Sequence, residues 1–178
     1  EEIACHKGSV LGVLPGTEQP SQKMFETRLL AALRALDPTR PVYVEAESRR
    51  IGKIHVPDAL LETMRQGECI NIEAAFDARV DFLLRDYDYF LRDPDSRLDS
   101  LRKLQSRETI ERWLGYVDNG QWRALVAELL ELHYDPLYHR SQNSNFTGLG
   151  SPTSFACDDL TPTGVVQLAE SIRQTFKE

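Results

Sequence analysis

Several features that would assign this sequence to a class of protein at once are missing from it. Its longest apolar runs, such as residues 29–33, fall far short of the roughly 20 residues that cross a bilayer. The opening, Glu1-Glu2-Ile3, is not that of a secretory signal peptide. The three cysteines are few and far apart, which argues against a disulfide framework. We therefore expect a cytoplasmic protein without a membrane partner.

The common sequence motifs of nucleotide and metal sites are also missing. Gly52-Lys53 is the only Gly-Lys step, and no glycine lies five residues before Gly52, so the phosphate-loop pattern Gly-x4-Gly-Lys-Ser/Thr is not present. No Cys-x-x-Cys or His-Glu-x-x-His pair occurs, and we expect no protein-held metal centre. Cys69 and Cys157 fall inside predicted strands, where a buried, inert thiol is the default, so a nucleophilic cysteine is poorly supported.

The charge balance limits the partners of the chain. Its formal net charge is −7, so the chain as a whole is not a general binder of polyanions. Any contact with nucleic acid or phosphate needs a local basic patch. Arg97, Arg102, Lys103, Arg107 and Arg112 make the central helices locally basic and form one candidate nucleic-acid face, with an ordinary solvated face as the alternative.

Apolar runs and helical patterns alternate along the chain, which is typical of an α/β protein with a parallel sheet. Strands are predicted over 41–45, 69–73 and 153–157. Ser21 and Thr161-Pro162 are predicted to begin helices as a cap and as a cap followed by proline. We expect three parts: the first part of an α/β core (1–92), a helical subdomain (93–140), and a mobile loop with the last strand and helix of the core (141–178).

Acidic and basic side chains are packed together just after the first predicted strand. Glu45 and Glu47 come directly off its carboxyl end, followed by Ser48, Arg49 and Arg50. Ligands of parallel α/β sheets bind at this end of the strands, where an acid can hold a magnesium ion through water. Arginines beside it can grip phosphate oxygens. A solvated, charged loop is the alternative interpretation.

A second polar cluster, Gln19-Pro20-Ser21-Gln22, lies at the predicted start of the first helix. Free backbone N–H groups at a helix start attract anions, although Ser21 can also serve only as a cap.

These segments, in this order and spacing, resemble the C-terminal domain of bacterial tRNA 2-selenouridine synthases. The resemblance runs from residue 1 to about residue 140, and its most specific part is Glu-x-Glu-Ser-Arg-x-Ile-Gly. The segments that carry it are His6-Lys7-Gly8-Ser9, Gln19-Pro20-Ser21-Gln22 with Phe25-Glu26, Val44 to Gly52, Pro57, Met64, and Tyr134-Asp135-Pro136-Leu137-Tyr138.

The resemblance implies a longer parent enzyme with an N-terminal rhodanese-like domain, which carries the catalytic cysteine, and a C-terminal P-loop domain. That family exchanges sulfur for selenium in wobble 2-thiouridine of tRNA, with selenophosphate as donor and a geranylated intermediate made from geranyl diphosphate. In this sequence the rhodanese domain is absent, as are the first strand, phosphate loop and first helix of the P-loop domain. We therefore expect a P-loop NTPase-like α/β domain that lacks its first βα unit, carries a helical insertion and is inactive alone.

The resemblance also implies roles for individual residues. Glu45 and Glu47 occupy the place of a metal-facing acid at a strand end, with magnesium bound together with a diphosphate. Arg49 and Arg50 face a diphosphate or the tRNA backbone. The full set of expected substrate-binding residues is Gln19, Ser21, Gln22, Glu45, Glu47, Ser48, Arg49, Arg50, Arg79 and Arg140.

Two other functions stay open at this point. One is a non-catalytic RNA-binding or scaffolding module. The other is a fragment of a P-loop kinase or hydrolase, which the order of elements suggests and the missing phosphate loop opposes. The sequence does not fix the oligomeric state.

Overall fold

The structure is a computed structural model that describes residues 2–46, 49–87, 89, 98–145 and 152–176. The chain divides into two compact units, unit 1 (Glu1–Gly67) and unit 2 (Glu68–Glu178), and both combine helices with strands. The α/β class expected from the sequence is therefore confirmed, whereas the three-part division stays a prediction.

Unit 1 is built from two helices and one short hairpin. A 3-10 turn at Glu2–Ala4 precedes α1 (Gln22–Ala35), and β1 (Arg50–Ile51) and β2 (Ile54–His55) then lead into α2 (Asp58–Met64). The two strands pair antiparallel, with Arg50 opposite His55 and Ile51 opposite Ile54.

The small core of unit 1 explains why these elements pack together. Ser21 caps α1 as predicted, because its hydroxyl accepts a hydrogen bond from the Met24 N–H at 3.3 Å. Phe25 then points inward one turn later, towards the inner side of the hairpin. The buried members of this core are Ala4, Phe25, Ile51, Ile54, Val56 and Leu61.

Unit 2 combines a short parallel sheet with helices, which lie between its two strands in the chain and after the second. Its strands are β3 (Ile70–Ala74) and β4 (Thr153–Cys157), and their register runs from Ile70 opposite Thr153 to Ala74 opposite Cys157. Both strands and their parallel pairing agree with the sequence-based expectation. The helical elements of unit 2 are α3 (Phe76–Asp86), a 3-10 turn at Asp99–Leu101, α4 (Arg107–Asp118), α5 (Trp122–Leu129), a π-helical turn at Leu130–Tyr134, α6 (Asp135–Asn145) and α7 (Pro162–Thr175).

The sequence Asp135-Pro136 predicts the end of a helix, and this prediction is wrong, because a helix continues through the site. Pro136 has no N–H to donate to the carbonyl group of Leu132, one turn earlier. The wider π-helical turn before it accommodates the ring, and the Gln105 side chain donates to the Leu132 carbonyl oxygen at 3.3 Å instead. Residues 141–145, expected in a loop, belong to α6, and residues 146–151 lie outside the described part.

The strand predicted over residues 41–45 is also wrong. Val42, Tyr43 and Val44 have high β-propensity, yet no described strand pairs with them and their side chains are 51, 50 and 58% exposed. A β-rich run becomes a strand only when a neighbour satisfies its backbone. The hairpin of β1 and β2 lies instead within residues expected to form a loop. Among the described helices, none is long and apolar enough to cross a membrane.

Candidate functional site

The hairpin of unit 1 presents the arginines that the sequence singles out. Its two-residue loop is Gly52-Lys53, and Gly52 has a φ of +59°. A glycine with positive φ at the first loop position is what a type II′ turn requires. Ile51 and Ile54 face the core and Arg50 lies exposed, so the hairpin separates an apolar inner side from a charged outer side.

Gln19 bonds to the backbone of the hairpin at two places, one in its loop and one just before the loop. Its Oε1 accepts from the Lys53 N–H at 2.8 Å, and its Nε2 donates to the Ile51 carbonyl oxygen at 3.0 Å. The same Nε2 lies 3.3 Å from the carbonyl oxygen of Ala4. A Cβ on Gly52 would lie 2.3 Å from Gln19 Oε1, so this contact requires glycine at position 52.

Gln22 likewise bonds to the backbone of the hairpin, at His55 in the second strand. Its Oε1 accepts from the His55 N–H at 3.0 Å, and its Nε2 donates to the His55 carbonyl oxygen at 2.8 Å. Gln19, Ser21 and Gln22 therefore all bond to groups of the protein itself. Their expected part in substrate binding stays a prediction.

Arg49 and Arg50 lie next to each other where the hairpin begins. Arg49 pairs with Asp58 in the first turn of α2 at 3.2 Å, and the two side chains are 63 and 67% exposed. Arg50 donates from Nε to the Gly52 carbonyl oxygen at 2.7 Å. Sequence reasoning missed Asp58 and Gly52, although the spacing Ile51-Gly52-Lys53-Ile54 is a recognisable hairpin signal.

The acidic side of the predicted site is only partly described. Glu45 is exposed, and Glu47 and Ser48 lie outside the described residues. No group of three or more His, Cys, Asp or Glu residues in the described part is arranged to hold a metal ion. The magnesium-facing role of Glu45 and Glu47 stays a prediction.

Charge is distributed unevenly between the two units. Unit 1 contains nine Lys or Arg and nine Asp or Glu residues, so the full net charge of −7 falls on unit 2. The net negative charge of an acidic unit repels an anionic ligand, whereas a neutral unit does not. An arginine pair in the neutral unit therefore attracts the ligand with less opposition. The charge distribution therefore favours unit 1 for contacts with phosphate.

The remaining predicted site residues, Arg79 and Arg140, belong to unit 2. Arg79 forms a two-pronged, half-buried pair with Asp135, with one N–O distance of 3.1 Å, and this pair joins α3 to α6. Arg140 lies exposed on α6. A buried two-pronged pair is typical of an arginine that holds helices together.

The basic residues of the central helices are largely paired with acids. Arg102 pairs with Asp99 and Arg107 with Glu111, whereas Arg97 lies outside the described residues. Arg112 pairs with Glu128 at 2.8 Å. These pairs reduce the positive field of the face that the sequence offered for nucleic acid.

His133 in the π-helical turn is buried, with 4% of its surface exposed. Gln105 Nε2 lies 3.2 Å from His133 Nδ1 and also donates to the Leu132 carbonyl oxygen, so Nδ1 is the acceptor and the ring is neutral. Burial lowers the pKa of His133.

We expect unit 2 to lose stability as the pH falls below about 6.5, the ordinary pKa of histidine. The unfolded chain takes up a proton at His133 more readily than the folded chain does, so this contribution is complete above that pH and is lost below it. The slope reaches at most about 1.4 kcal/mol per pH unit. Urea denaturation between pH 7.5 and 5 measures it, and His133→Gln should flatten the slope. An equal slope in that variant would contradict the assignment to His133.

The sequence was compared with protein families and with curated proteins. Residues 1–98 match the family model described as the tRNA 2-selenouridine synthase AAA domain. No solved structure matches the chain.

Several curated proteins named tRNA 2-selenouridine synthase are similar to the chain. The one from Alcanivorax borkumensis is 34% identical over an alignment of 170 residues, and the match covers 78% of this chain and 46% of the relative. The one from Marinobacter nauticus is 31% identical over an alignment of 169 residues, and the match covers 78% of this chain and 46% of the relative. The one from Nitrosomonas europaea is 38% identical over 90 residues, and the match covers 49% of this chain and 23% of the relative. The chain thus spans less than half the length of these relatives. Because the family model covers more than half of the chain, the chain belongs to the tRNA 2-selenouridine synthase family.

Proposed function

We propose that this chain is the C-terminal domain of an enzyme that converts wobble 2-thiouridine of tRNA to 2-selenouridine, and that its hairpin at residues 49–55 binds phosphate groups of tRNA or of a diphosphate. Selenophosphate and geranyl diphosphate are the proposed small substrates of the longer enzyme. The name shared by the similar proteins, tRNA 2-selenouridine synthase, supports a role in selenouridine modification of tRNA. The catalytic cysteine is proposed to lie outside this chain, so the chain alone is inactive.

The observation that carries the phosphate-binding role is the exposed pair Arg49 and Arg50 on the hairpin. The backbone of this hairpin is hydrogen-bonded to the side chains of two glutamines. Each guanidinium can donate two parallel hydrogen bonds to a phosphate. The Arg49–Asp58 pair is no obstacle, because an exposed ion pair opens at little cost. Arg50 lies opposite His55, so the exposed side of the hairpin adds a third nitrogen-bearing side chain.

Magnesium is proposed to reach this site with a diphosphate ligand, held through water by Glu45 and Glu47. Carboxylates and phosphate oxygens together are the ligands that magnesium prefers. Arginine and magnesium would then neutralise the charge of a leaving diphosphate.

The incomplete sheet supports the proposal that this chain lacks the first βα unit of its domain. Parallel strands are normally buried on both faces, yet within the described residues of unit 2 only β3 and β4 pair, and Ile72 at the centre of β3 is 49% exposed. In unit 1, the half-exposed segment 42–44 and the exposed Leu30 and Leu33 on α1 likewise present apolar surface. We propose that the remainder of the longer enzyme covers these surfaces.

The test is tRNA binding by the full-length protein carrying Arg49→Ala and Arg50→Ala together. We expect affinity to fall about tenfold or more, because charge-assisted hydrogen bonds are lost. We also expect the slope of log affinity against log salt concentration to become shallower by roughly 1 to 2, because one or two phosphate contacts are lost.

Arg107→Ala is the matched control, since Arg107 is exposed and paired with Glu111 in unit 2. It changes the net charge by the same amount per substitution but should leave the salt slope unaltered. Equal losses at Arg107 and at the hairpin would show that binding follows overall charge, which would refute the proposal. Calorimetry with geranyl diphosphate, in the same two variants, separates a diphosphate site from a tRNA site.

A further inference from the structure

We infer that Gln19 and Gln22 are positioning residues, which hold the hairpin backbone in register and so fix the direction in which Arg49 and Arg50 point. This inference rests on the proposed function, since it concerns the delivery of those arginines to a phosphate. In this role the two glutamines orient the arginines by way of the hairpin backbone and do not contact the ligand themselves.

The hairpin needs such support because it is very short. Its ladder consists of two residue pairs, and an isolated two-stranded hairpin is marginal in water. The two glutamine side chains supply four further hydrogen bonds to its backbone, at Ile51, Lys53 and His55. Each amide uses its oxygen as acceptor and its nitrogen as donor, as a neighbouring strand would.

The helix start fixes both glutamines at once. Gln19 lies just before the cap residue Ser21, and Gln22 is the first residue of α1. Gln22 Nε2 also donates to Glu26 at 2.8 Å, one turn further along the helix. The hairpin is therefore tied to the first turn of α1, whose Phe25 lies in the same core as Ile51 and Ile54.

Gly52 completes the arrangement, since any side chain at that position would displace Gln19 Oε1. Arg50 itself donates to the carbonyl oxygen of Gly52, so a shift of the turn moves an arginine contact directly. Gly52→Ala is therefore expected to have the same effect on tRNA binding as Gln19→Ala.

The experiment is a double-mutant cycle on tRNA affinity in the full-length protein. Gln22→Ala is made alone and in the Arg49→Ala/Arg50→Ala background, and Gln66→Ala serves as a matched control because Gln66 is an exposed glutamine of the same unit. We expect Gln22→Ala to weaken binding about fivefold when the arginines are present and to have no effect when both are alanine. Gln22 is exposed, so this variant keeps the test valid if Gln19→Ala fails to fold.

The other outcomes overturn either the positioning role or the proposed function. Equal losses in both backgrounds would show that Gln22 contacts RNA itself or acts on the whole fold, and the positioning role would be wrong while the proposed function stood. No loss from Gln22→Ala alone would also refute positioning. If the double arginine variant binds tRNA normally, the proposed phosphate contact fails, and the role of the glutamines fails with it. A loss in Gln66→Ala equal to that in Gln22→Ala would likewise refute positioning.

Discussion

Replacing Glu128 with alanine is expected to lower the free energy of unfolding of unit 2 by about 3 kcal/mol. One carboxylate here serves three donors: it accepts from Trp113 Nε1 at 3.1 Å, from the Tyr116 hydroxyl at 2.8 Å and from Arg112 Nε at 2.8 Å. Trp113 is fully buried, so its N–H would be left without an acceptor. An unsatisfied buried donor costs more than a hydrogen bond contributes when it is made.

The charge of Glu128 is itself stabilised by this arrangement. Its side chain is 23% exposed. Burial opposes its ionisation, but the hydrogen bonds from Tyr116, Arg112 and Trp113 outweigh that effect and lower the pKa of Glu128. A carboxyl group with a lowered pKa stabilises the fold above its ordinary pKa and loses that contribution as the pH falls through the folded value. The full effect of Glu128→Ala is therefore present at pH 7.

Urea denaturation followed by tryptophan fluorescence is the appropriate measurement. Both tryptophans of the chain, Trp113 and Trp122, lie in unit 2, so their signal reports on that unit. Glu111→Ala is the control, because Glu111 pairs with Arg107 on the exposed side of α4 and its loss should fall within experimental error. If the two variants were equally destabilised, the network around Glu128 would not have the importance assigned to it.

This network also bears on where RNA can bind. Arg112 is one of the five basic residues that the sequence offered as a nucleic-acid face, yet its guanidinium is held by Glu128. Arg123 on α5 is held in the same way by Asp77 and Asp81 on α3. These arginines join helices of unit 2, whereas the Arg49–Arg50 pair of unit 1, the proposed phosphate contact, does not join helices of unit 2.

The sequence predicted those elements that local residues determine. Ser21 and Thr161 were expected to cap helices, and each accepts a hydrogen bond from a backbone N–H three residues later. A cap depends on neighbours within one turn, so it can be identified without the fold. The strands predicted over 69–73 and 153–157 are observed over 70–74 and 153–157. In the first, Ile70 and Ile72 alternate with polar residues, which is a local pattern too.

The elements that sequence reasoning missed depend on distant residues. The role of Gln19 rests on a partner 34 residues away, and that of Gln22 on one 33 residues away. The helix continues past Pro136 because Gln105, which comes much earlier in the chain, satisfies Leu132. No local pattern carries such information, so the sequence alone does not reveal the bonds that Gln19 and Gln22 make to the hairpin backbone.

Replacing Gly164 with alanine is expected to destabilise unit 2 by about 2–3 kcal/mol, the cost of forcing a side chain into a filled space. Gly164 is buried in the first turn of α7, where its N–H donates to the capping hydroxyl of Thr161 at 3.3 Å. A Cβ at this position would lie 2.1 Å from the backbone carbonyl oxygen of Asp159. That oxygen cannot yield as a flexible side chain could, so the turn between β4 and α7 must shift.

Gly115 provides the matched control within the same unit. It lies inside α4, where no atom comes within 4 Å of an added Cβ, so Gly115→Ala should stabilise the protein by about 0.5–1 kcal/mol through the higher helix propensity of alanine. Urea denaturation followed by tryptophan fluorescence should therefore show a lower free energy of unfolding for Gly164→Ala and a higher one for Gly115→Ala. If Gly164→Ala left the free energy of unfolding unchanged or raised it, the close packing of Gly164 against Asp159 would be refuted.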